Sequence, residues 1–359
     1  MTTDLETIAM LRDSASRYAE DRYSFHQRWT VLERPEGYST EAWKDFAELG
    51  LLALRLPEEE GGIGGDATGV GAVMEVIGGR LLMEPYFASA VVATGLLLKL
   101  AAPERQAALL PRLADGSLIL AFADDDEPGK ACALDGGRLY GTKIGVLHGD
   151  AAGKLLVSAR DAATDAPIVV LAAADAPGVS RKSHRLVDGR GAAIIRFDGA
   201  EVELVGSDAG EALALARDEA AVALCAESLG IATSLVRITN DYLKVRKQFG
   251  KAIGANQALQ HRMVDCFLLQ EEIRALTAAA QQALAAPPQE RARTVSGARA
   301  YIVHAARRIA NEAVQMHGGL GVTDELDVSH YFRRLIVNAS MFGKRDEHFA
   351  RFVESALAA

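Results

Sequence analysis

The sequence predicts an α+β fold in which a helical part comes first, a β part follows and a helical bundle ends the chain. Three observations predict it. Apolar residues recur at three- and four-residue spacing up to about residue 118, short apolar runs bounded by Gly, Asp and Pro occupy about 118–205, and long amphipathic segments return from about 209. We accordingly expect three domains, at residues 1–118, 119–206 and 207–359.

The first part contains three helical patterns, which are LETIAMLRDSASRYAEDRY, STEAWKDFAELGLLAL and GVGAVMEVIGGRLL. Ser39 or Thr40 followed by Glu41 is typical of a helix start. The stretch LPEEEGGIGGD predicts a turn, because adjacent glycines allow backbone angles that other residues resist.

The middle part reads as strands. The runs LILAFA, KLLVSAR, APIVVLAAA and AAIIRFDG are short and apolar, and turn signals such as DGGR separate them. This pattern predicts an antiparallel β-domain. In the last part, three long segments (211–247, 255–285 and 289–316) precede two shorter ones (about 325–341 and 343–357). Long helices joined by short links favour a bundle.

Composition excludes several classes of function. The formal net charge is −9, so no basic face for nucleic acid is visible. The acidic start MTTDLETIAM lacks the basic region of a secretory signal, and the most apolar window, ASAVVATGLLLKLAA, is too short to span a bilayer. Cys132, Cys225 and Cys266 lie far apart, which argues against disulfides. We expect a cytoplasmic protein with no membrane span, and the scattered histidines predict no metal site.

The stretch RKQFGKAIG closes the first long segment of the last part with groups that suit an anion or a flat ring. Arg246 supplies a planar fork of donors for phosphate oxygens. Gln248 can donate and accept, Phe249 offers an aromatic face, and Gly250 lets a ligand approach the backbone. An ordinary solvated helix end, with cations near the C-terminal dipole, explains the same residues.

The stretch VQMHGGLGVTDE closes the third long segment. Gln315 comes first, and Gly318, Gly319 and Gly321 follow, so that a flat or charged ligand could sit close to the backbone. A plain glycine helix stop is the alternative. Taken singly, neither stretch decides between a ligand site and a helix end.

Together the two stretches resemble the acyl-CoA dehydrogenase family. The matching sequences are LPEEEGGIGG, GTK at 141–143, RKQFGKAIGANQALQHRMVD and QMHGGLGV, and the resemblance covers essentially the whole chain. It implies an N-terminal helical domain, a central antiparallel β-barrel and a C-terminal four-helix bundle, associating as a tetramer. It also implies FAD held across subunit boundaries and α,β-dehydrogenation of an acyl-CoA thioester.

That reaction requires a carboxylate base, for which the resemblance implies one of two positions. Phe342, before Gly343, stands at one and Ala220 at the other, and neither can take a proton. Glu219 is adjacent to Ala220, but one residue along a helix turns a side chain by about 100°. We expect Asp218 and Glu219 to face solvent.

The positions that the family uses around the flavin ring are also changed. The run FADDDEPGKACAL replaces a Thr-Glu-Pro run and a small turn, with Asp126 and Cys132 near the hydroxyl positions. Gly145 and Leu147 stand where a Trp and a hydroxyl residue are expected, and KRDEHF replaces the final Thr-Ser-x-Ile-Gln segment. Acidic residues 124–126 would oppose negative charge on a reduced flavin.

The residues that a family member contributes to its neighbour's FAD are kept. They are Arg246, Gln248, Phe249, Gln257, Gln315, Gly318 and Gly319. Our leading hypothesis is therefore a mixed tetramer, in which this chain contributes the adenosine and pyrophosphate half of the FAD site to a catalytic partner subunit. Mixed tetramers are known in the family among dehydrogenases that act on steroid side-chain CoA thioesters, so the resemblance implies such a substrate for the complex and an electron-transfer flavoprotein as its electron acceptor.

Two alternatives stay open. One is a self-sufficient homotetrameric dehydrogenase with an unconventional base, either Glu219 or Glu347. The other is a scaffold or CoA-sensing protein with no flavin in its complex.

Overall fold

The computed structural model describes residues 5–248 and 250–357. Its α-helices, in chain order, are α1 (Leu5–Arg22), α2 (Phe25–Leu32), α3 (Thr40–Glu48), α4 (Ala67–Arg80), α5 (Thr94–Leu100), α6 (Pro103–Ala114), α7 (Gly210–Val245), α8 (Gln257–Ala283), α9 (Pro288–His317), α10 (Asp327–Asn338) and α11 (Arg345–Leu357). Its strands are β1 (Leu120–Ala123), β2 (Ala133–Asp135), β3 (Arg138–Leu147), β4 (Lys154–Asp161), β5 (Pro167–Ala173), β6 (Val179–Arg185), β7 (Gly191–Glu201), β8 (Glu203–Gly206), β9 (Lys247–Gln248) and β10 (Lys251–Ala252).

The chain divides into two compact units. The first takes in Arg28–Val70 and Met83–Arg217 with the described residues before Ile8, and the second takes in Ile8–Gln27, Gly71–Leu82 and the chain from Asp218 onward. The helical, β and helical order along the chain is as the sequence predicts. The three-domain division at residues 118 and 206 stays a prediction.

Local sequence signals explain the start of the first unit. Ser39 caps α3, because its hydroxyl accepts a hydrogen bond from the Ala42 N–H at 3.1 Å, which confirms the predicted helix start. The glycine-rich turn that follows also needs its glycines. A Cβ at Gly62 would lie 2.1 Å from the Leu56 carbonyl oxygen, so no larger residue fits there.

The first unit contains an eight-stranded sheet, with strands in the order β6-β7-β3-β2-β4-β5-β8 and β1 paired to β4. The sheet differs from the prediction in two ways. It is mixed, since β1 and β2 both run parallel to β4, and within the described residues it does not close into a barrel. One reason is β6, an exposed edge strand that carries Arg181, Lys182 and Arg185, because charges on an edge strand disfavour further pairing.

The second unit contains the predicted four-helix bundle, built from α7, α8, α9 and α10. Its core is formed by small and branched apolar residues at helical spacing, so the helices approach closely. The central members are Ala221, Cys225, Leu229, Ala232, Leu235, Ile273, Ala280, Ile302, Ala306, Ile309, Ala313, Val328 and Leu335.

Helix α7 is the one described helix that is long and apolar enough to cross a membrane by length and composition. However, 78% of its most apolar window is buried, as expected for the central helix of a bundle. The bundle also buries charge on this helix. Glu227 is 0% exposed, and Arg334 Nη1 lies 3.2 Å from its Oε1.

Candidate functional site

The stretch after α7 folds as a short hairpin that is exposed to solvent. The Arg246 N–H donates to the Tyr242 carbonyl at 2.9 Å, and the Arg246 carbonyl accepts the Ile253 N–H at 2.9 Å. Gln248 in β9 pairs with Lys251 in β10, and Gly250 in the turn has a φ of 82°. Phe249, the remaining predicted residue of this stretch, lies outside the described residues. The hairpin therefore fixes the backbone on which the Arg246 side chain stands.

The end of α9 leaves its backbone open to a ligand. Gly318 has a φ of 63°, and its N–H donates to the Gln315 carbonyl. Cβ atoms added to Gly318 or Gly319 would meet nothing within 4 Å. At Gly321, by contrast, a Cβ would lie 2.5 Å from the Val314 carbonyl oxygen. Gly321 lets the turn pack on the helix, and Gly318 and Gly319 present free backbone surface.

An aromatic stack brings these two segments together. Tyr242, on the last turn of α7, stacks on His317, the last residue of α9, with ring centroids 4.3 Å apart and planes inclined by 26°. The His317 ring is held in turn by Nδ1, which lies 2.8 Å from the Ala313 carbonyl oxygen. The Arg246 hairpin (residues 246–253) and the Gly318 turn (Gly318–Val322) are therefore neighbours in the second unit, as a shared nucleotide site requires.

The polar side chains of these segments project to the surface. Arg246, Gln248, Gln257 and Gln315 are all exposed, and none forms a side-chain hydrogen bond or ion pair with any residue that the structure describes. Gln257 begins α8, whose start has no side-chain cap. A helix N-terminus favours an anion. The set therefore combines an arginine, three amides and a positive helix end, and these side chains are not hydrogen-bonded to the described part of the chain.

A cavity of about 530 Å³ opens beside the end of α9. This volume is in the range of small-molecule sites. Among the side chains that line it, Phe332 offers an aromatic face, and Arg333 donates to Asp324 at 2.6 Å. The full lining is Asn311, Val314, Gln315, Gly321, Val322, Asp324, Ser329, Phe332 and Arg333.

The two expected base positions carry no acid. Ala220 is fully buried in α7. Phe342 follows α10 with a φ of 51°, and its carbonyl oxygen lies 2.9 Å from His348 Nε2. Burial lowers the pKa of His348, and the Phe342 hydrogen bond only partly offsets it. A neutral imidazole therefore stabilises this turn.

The expectation that Asp218 faces solvent was wrong. Its side chain is 1% exposed, and its carboxylate accepts hydrogen bonds from Arg291 Nε at 3.0 Å and from Arg351 Nη1 at 2.5 Å. Asp218 lies on the face of α7 that packs toward α9 and α11, one position before the partly exposed Glu219. Glu347, the other alternative base, is exposed and accepts the Lys344 N–H at 3.0 Å at the start of α11.

In the first unit, Asp124 and Asp126 stand in the acidic run that replaces the family's hydroxyl residues. Both carboxylates contact other side chains of this chain. Asp124 accepts two hydrogen bonds of 2.7 Å from Arg217 and one of 2.8 Å from the Ser158 hydroxyl. Asp126 lies 2.7 Å from Lys143 Nζ and accepts the Cys132 N–H at 3.0 Å. These carboxylates already accept hydrogen bonds from the chain itself.

The other residues near the positions that the family uses around the flavin ring do not replace the missing hydroxyl and aromatic groups. Lys143 is 0% exposed, and its Nζ donates to the Asp124 carbonyl at 2.8 Å and to Ser158 at 3.1 Å. Burial raises the pKa of the Cys132 thiol to about 12, so it stays protonated. Gly145 has no side chain to stack, and Leu147 is buried and apolar. The exposed side chains around Arg246 have the chemistry that suits a nucleotide, whereas Gly145 and Leu147 supply neither an aromatic face nor a hydroxyl for a flavin ring.

The Asp124 network predicts an acid-sensitive contribution to stability. Burial disfavours the charged carboxyl, but the Arg217 hydrogen bonds and charge outweigh burial, so the pKa of Asp124 is lowered. A depressed folded-state pKa gives stabilisation that is complete above the unfolded value of about 3.9 and is lost as the pH falls through the folded-state value. We expect the free energy of unfolding, measured in urea at a series of pH values, to fall more steeply below about pH 4 in the wild type than in Asp124→Asn.

The matched control is Asp165→Asn, because the Asp165 side chain is 82% exposed. This variant should keep the slope of the wild type. Equal slopes in all three proteins would show that Asp124 does not contribute in this way.

Two family models match the sequence. The model for the acyl-CoA dehydrogenase N-terminal domain matches residues 6–117, and the model for the acyl-CoA dehydrogenase C-terminal domain matches residues 212–356. The chain belongs to the acyl-CoA dehydrogenase family. Membership of this family supports an oxidoreductase activity for the protein. It also confirms the α+β fold that the resemblance implied, with an open mixed sheet in place of a closed antiparallel barrel.

Similar proteins add detail about this acyl-CoA dehydrogenase family member. Acyl-CoA dehydrogenase IpdE2 of Mycobacterium tuberculosis is 31% identical over 333 residues, which are 92% of this chain and 92% of that protein. A chain of the solved ChsE4-ChsE5 complex of Mycobacterium tuberculosis matches with a TM-score of 0.92 and 25% identity, over 99% of this chain and 99% of that chain. A variant of the Tcur3481-Tcur3483 steroid ACAD matches with a TM-score of 0.89 and 27% identity, over 98% of both chains.

FAD is the cofactor expected for a member of this family. A glutaryl-CoA dehydrogenase from Mycobacterium smegmatis, solved in complex with FADH2, shares the fold at 20% identity with a TM-score of 0.87. Within the part of the chain that the structure describes, no group of three or more His, Cys, Asp or Glu side chains could hold a metal ion.

Sequence reasoning missed three parts of the site. The stack of Tyr242 on His317 could have been suspected, because Tyr242 stands one helical turn before Arg246 and His317 directly precedes Gly318. The network around Asp124 depends on Arg217, which is distant in sequence, and Phe332 enters the cavity from the next helix. No local pattern marks either.

Proposed function

We propose that this chain is a subunit of a FAD-dependent acyl-CoA dehydrogenase and that it contributes the adenosine and pyrophosphate half of the FAD site to a catalytic partner subunit. The observation that carries the proposal is a contrast between two sets of side chains. Arg246, Gln248, Gln257 and Gln315 project outward without internal partners, whereas the ring-side carboxylates are bonded within the chain.

When bound, FAD accepts the hydride in α,β-dehydrogenation of the thioester. The residues of this chain bind and orient it. The Arg246 guanidinium suits the pyrophosphate, because its fork of donors matches two phosphate oxygens. The uncapped start of α8 at Gln257 adds a positive helix end. The amides of Gln248 and Gln315 and the open backbone at Gly318 and Gly319 suit the polar edges of the adenosine.

The partner subunit carries out the proton transfer. Ala220 and Phe342 cannot remove a proton, and the Glu347 carboxylate already accepts a hydrogen bond from the start of its own helix. The partner subunit therefore supplies the carboxylate base and the isoalloxazine cradle. This assignment explains why a chain that binds the nucleotide half of FAD shows no acid at either base position.

Steroid side-chain CoA thioesters are the substrates we propose for the complex. Support comes from the similarity to a structure described as a steroid ACAD, which matches over 98% of this chain, and to a complex of two named chains, ChsE4 and ChsE5. We also propose a cytoplasmic location and an electron-transfer flavoprotein as electron acceptor.

Flavin content tests the division of the FAD site. Purified alone, this chain should carry far less than one FAD per subunit and should not oxidise an acyl-CoA, because the ring has no cradle on it. Purified with its catalytic partner, the complex should carry stoichiometric FAD and turn over acyl-CoA. Absorbance at the flavin band and dye-reduction assays measure both.

A yellow, active protein from this chain alone would overturn the proposal in favour of a self-sufficient enzyme. In that case Glu219→Ala or Glu347→Ala should abolish turnover while FAD stays bound. In our proposal both variants leave the turnover of the complex unchanged. Isolation from native cells without any flavoprotein would instead support a scaffold or CoA sensor.

A further inference from the structure

The stacked pair of Tyr242 and His317 stands between the two segments that we assign to FAD. Tyr242 is partly buried against the bundle core, and His317 is 4% exposed. Their rings lie at 4.3 Å with planes inclined by 26°, which is close to an offset stack. Such pairs contribute more than the area they bury, and they constrain the relative orientation of the elements that carry them.

Each ring is joined to its ligand-facing segment by a short covalent and hydrogen-bonded path. On the α7 side, the Tyr242 carbonyl accepts the Arg246 N–H at 2.9 Å. On the α9 side, His317 directly precedes Gly318, and its Nδ1 lies 2.8 Å from the Ala313 carbonyl oxygen. A shift of either ring would therefore shift the Arg246 hairpin relative to the Gly318 turn.

No other aromatic ring contact that the structure describes joins these two segments. The hairpin is closed by the bond from the Ile253 N–H to the Arg246 carbonyl, and the Ile253 side chain packs against the bundle core. Core packing holds α7 and α9 together, and the stack adds a contact between the residues that adjoin the two ligand-facing segments.

We infer that Tyr242 and His317 are positioning residues, which hold Arg246 and the Gly318–Gly319 backbone at the relative placement that one FAD molecule bridges. This inference rests on the proposed function, because it concerns the same nucleotide site. Neither ring needs to touch the ligand. The face of each ring, and not the tyrosine hydroxyl, carries the effect, since that hydroxyl has no described hydrogen-bond partner.

The test measures the rate at which FAD leaves the purified heteromeric complex after dilution, followed by flavin fluorescence. Tyr242→Leu keeps an apolar side chain but removes the ring, and it should speed release about three- to tenfold. Tyr242→Phe keeps the ring and should stay within about twofold of the wild type. Tyr301→Leu, the same change at an exposed tyrosine of α9, is the matched control and should have no effect on release.

A second measurement separates positioning from general loosening of the bundle. In an Arg246→Ala background, the effect of Tyr242→Leu should shrink, because part of what the ring positions has been removed. An unchanged effect in that background would overturn the inference, and so would equal release rates for Tyr242→Leu and Tyr242→Phe. Should Tyr242→Leu fail to assemble, His317→Leu tests the same stack from the other ring.

The outcomes distinguish this inference from the function on which it rests. If Arg246→Ala leaves the release of FAD unchanged, the proposed nucleotide site itself is wrong. If Arg246→Ala speeds release and Tyr242→Leu does not, the site stands and the positioning role is wrong.

Discussion

Replacing Asp218 by alanine is expected to lower the free energy of unfolding by about 3–5 kcal/mol, because it leaves buried arginine charge without its partner. The Asp218 carboxylate accepts hydrogen bonds from Arg291 and Arg351. The Arg291 side chain is only 7% exposed and cannot turn to water, whereas Arg351 is 36% exposed and can partly do so. Urea denaturation of the purified chain measures the loss.

Asp346→Ala is the control for that experiment, since the Asp346 side chain is 94% exposed and its ion pair with Arg345 is a surface contact. Surface pairs contribute about 0–1 kcal/mol, so this variant should unfold close to the wild type. A loss for Asp218→Ala no larger than that of the control would mean that α7, α9 and α11 are not held together through this carboxylate.

Replacing Arg246 by alanine should weaken the retention of FAD by the partner complex by roughly 1.5–3 kcal/mol, which is about a ten- to hundredfold higher dissociation constant. The reason is the loss of one charge-assisted contact to phosphate. Because the Arg246 side chain bonds to no described residue of its own chain, the substitution should leave folding unchanged. Dialysis followed by measurement of bound flavin gives the result.

Lys244→Ala provides the matched control for Arg246. Lys244 is a cation two residues away, and it lies 3.7 Å from Asp241 on the same helix. If the loss of flavin came from reduced positive charge alone, both variants would release it equally. Retention of flavin by the Arg246→Ala complex through dialysis would show that this arginine does not reach the cofactor.

The periodic parts of the fold could be predicted from the sequence. The segments predicted at 211–247, 255–285 and 289–316 are the helices Gly210–Val245, Gln257–Ala283 and Pro288–His317. Their apolar residues recur at the helical period because one face is buried. The strand β6 could not be predicted in the same way. Its sequence VSRKSHR has no apolar face, since an edge strand can pair through its backbone without burying side chains.

The segments that we propose for the nucleotide could be located from motif residues, but their shape could not be predicted. A run of cations after a helix is typical of an irregular helix end as well as of a hairpin, and only the pairing of Gln248 with Lys251 shows the hairpin. Asp218 was misplaced for a related reason. Its partners Arg291 and Arg351 lie far away in the sequence, and no local pattern distinguishes a buried carboxylate with distant partners from an exposed one.

The fully buried Lys143 has a consequence for how the chain could change over time. Threonine at position 126, as the family's hydroxyl pattern would have it, removes the carboxylate that lies 2.7 Å from this ammonium. The buried ammonium would keep the Asp124 carbonyl and the Ser158 hydroxyl as acceptors but would lose its nearest carboxylate, which would lower the stability of the fold. Under the proposed division of the FAD site, a hydroxyl at position 126 would therefore be regained only at the expense of folding stability. Reliance on a partner subunit, as we propose it, would in this way be easier to acquire by single substitutions than to reverse.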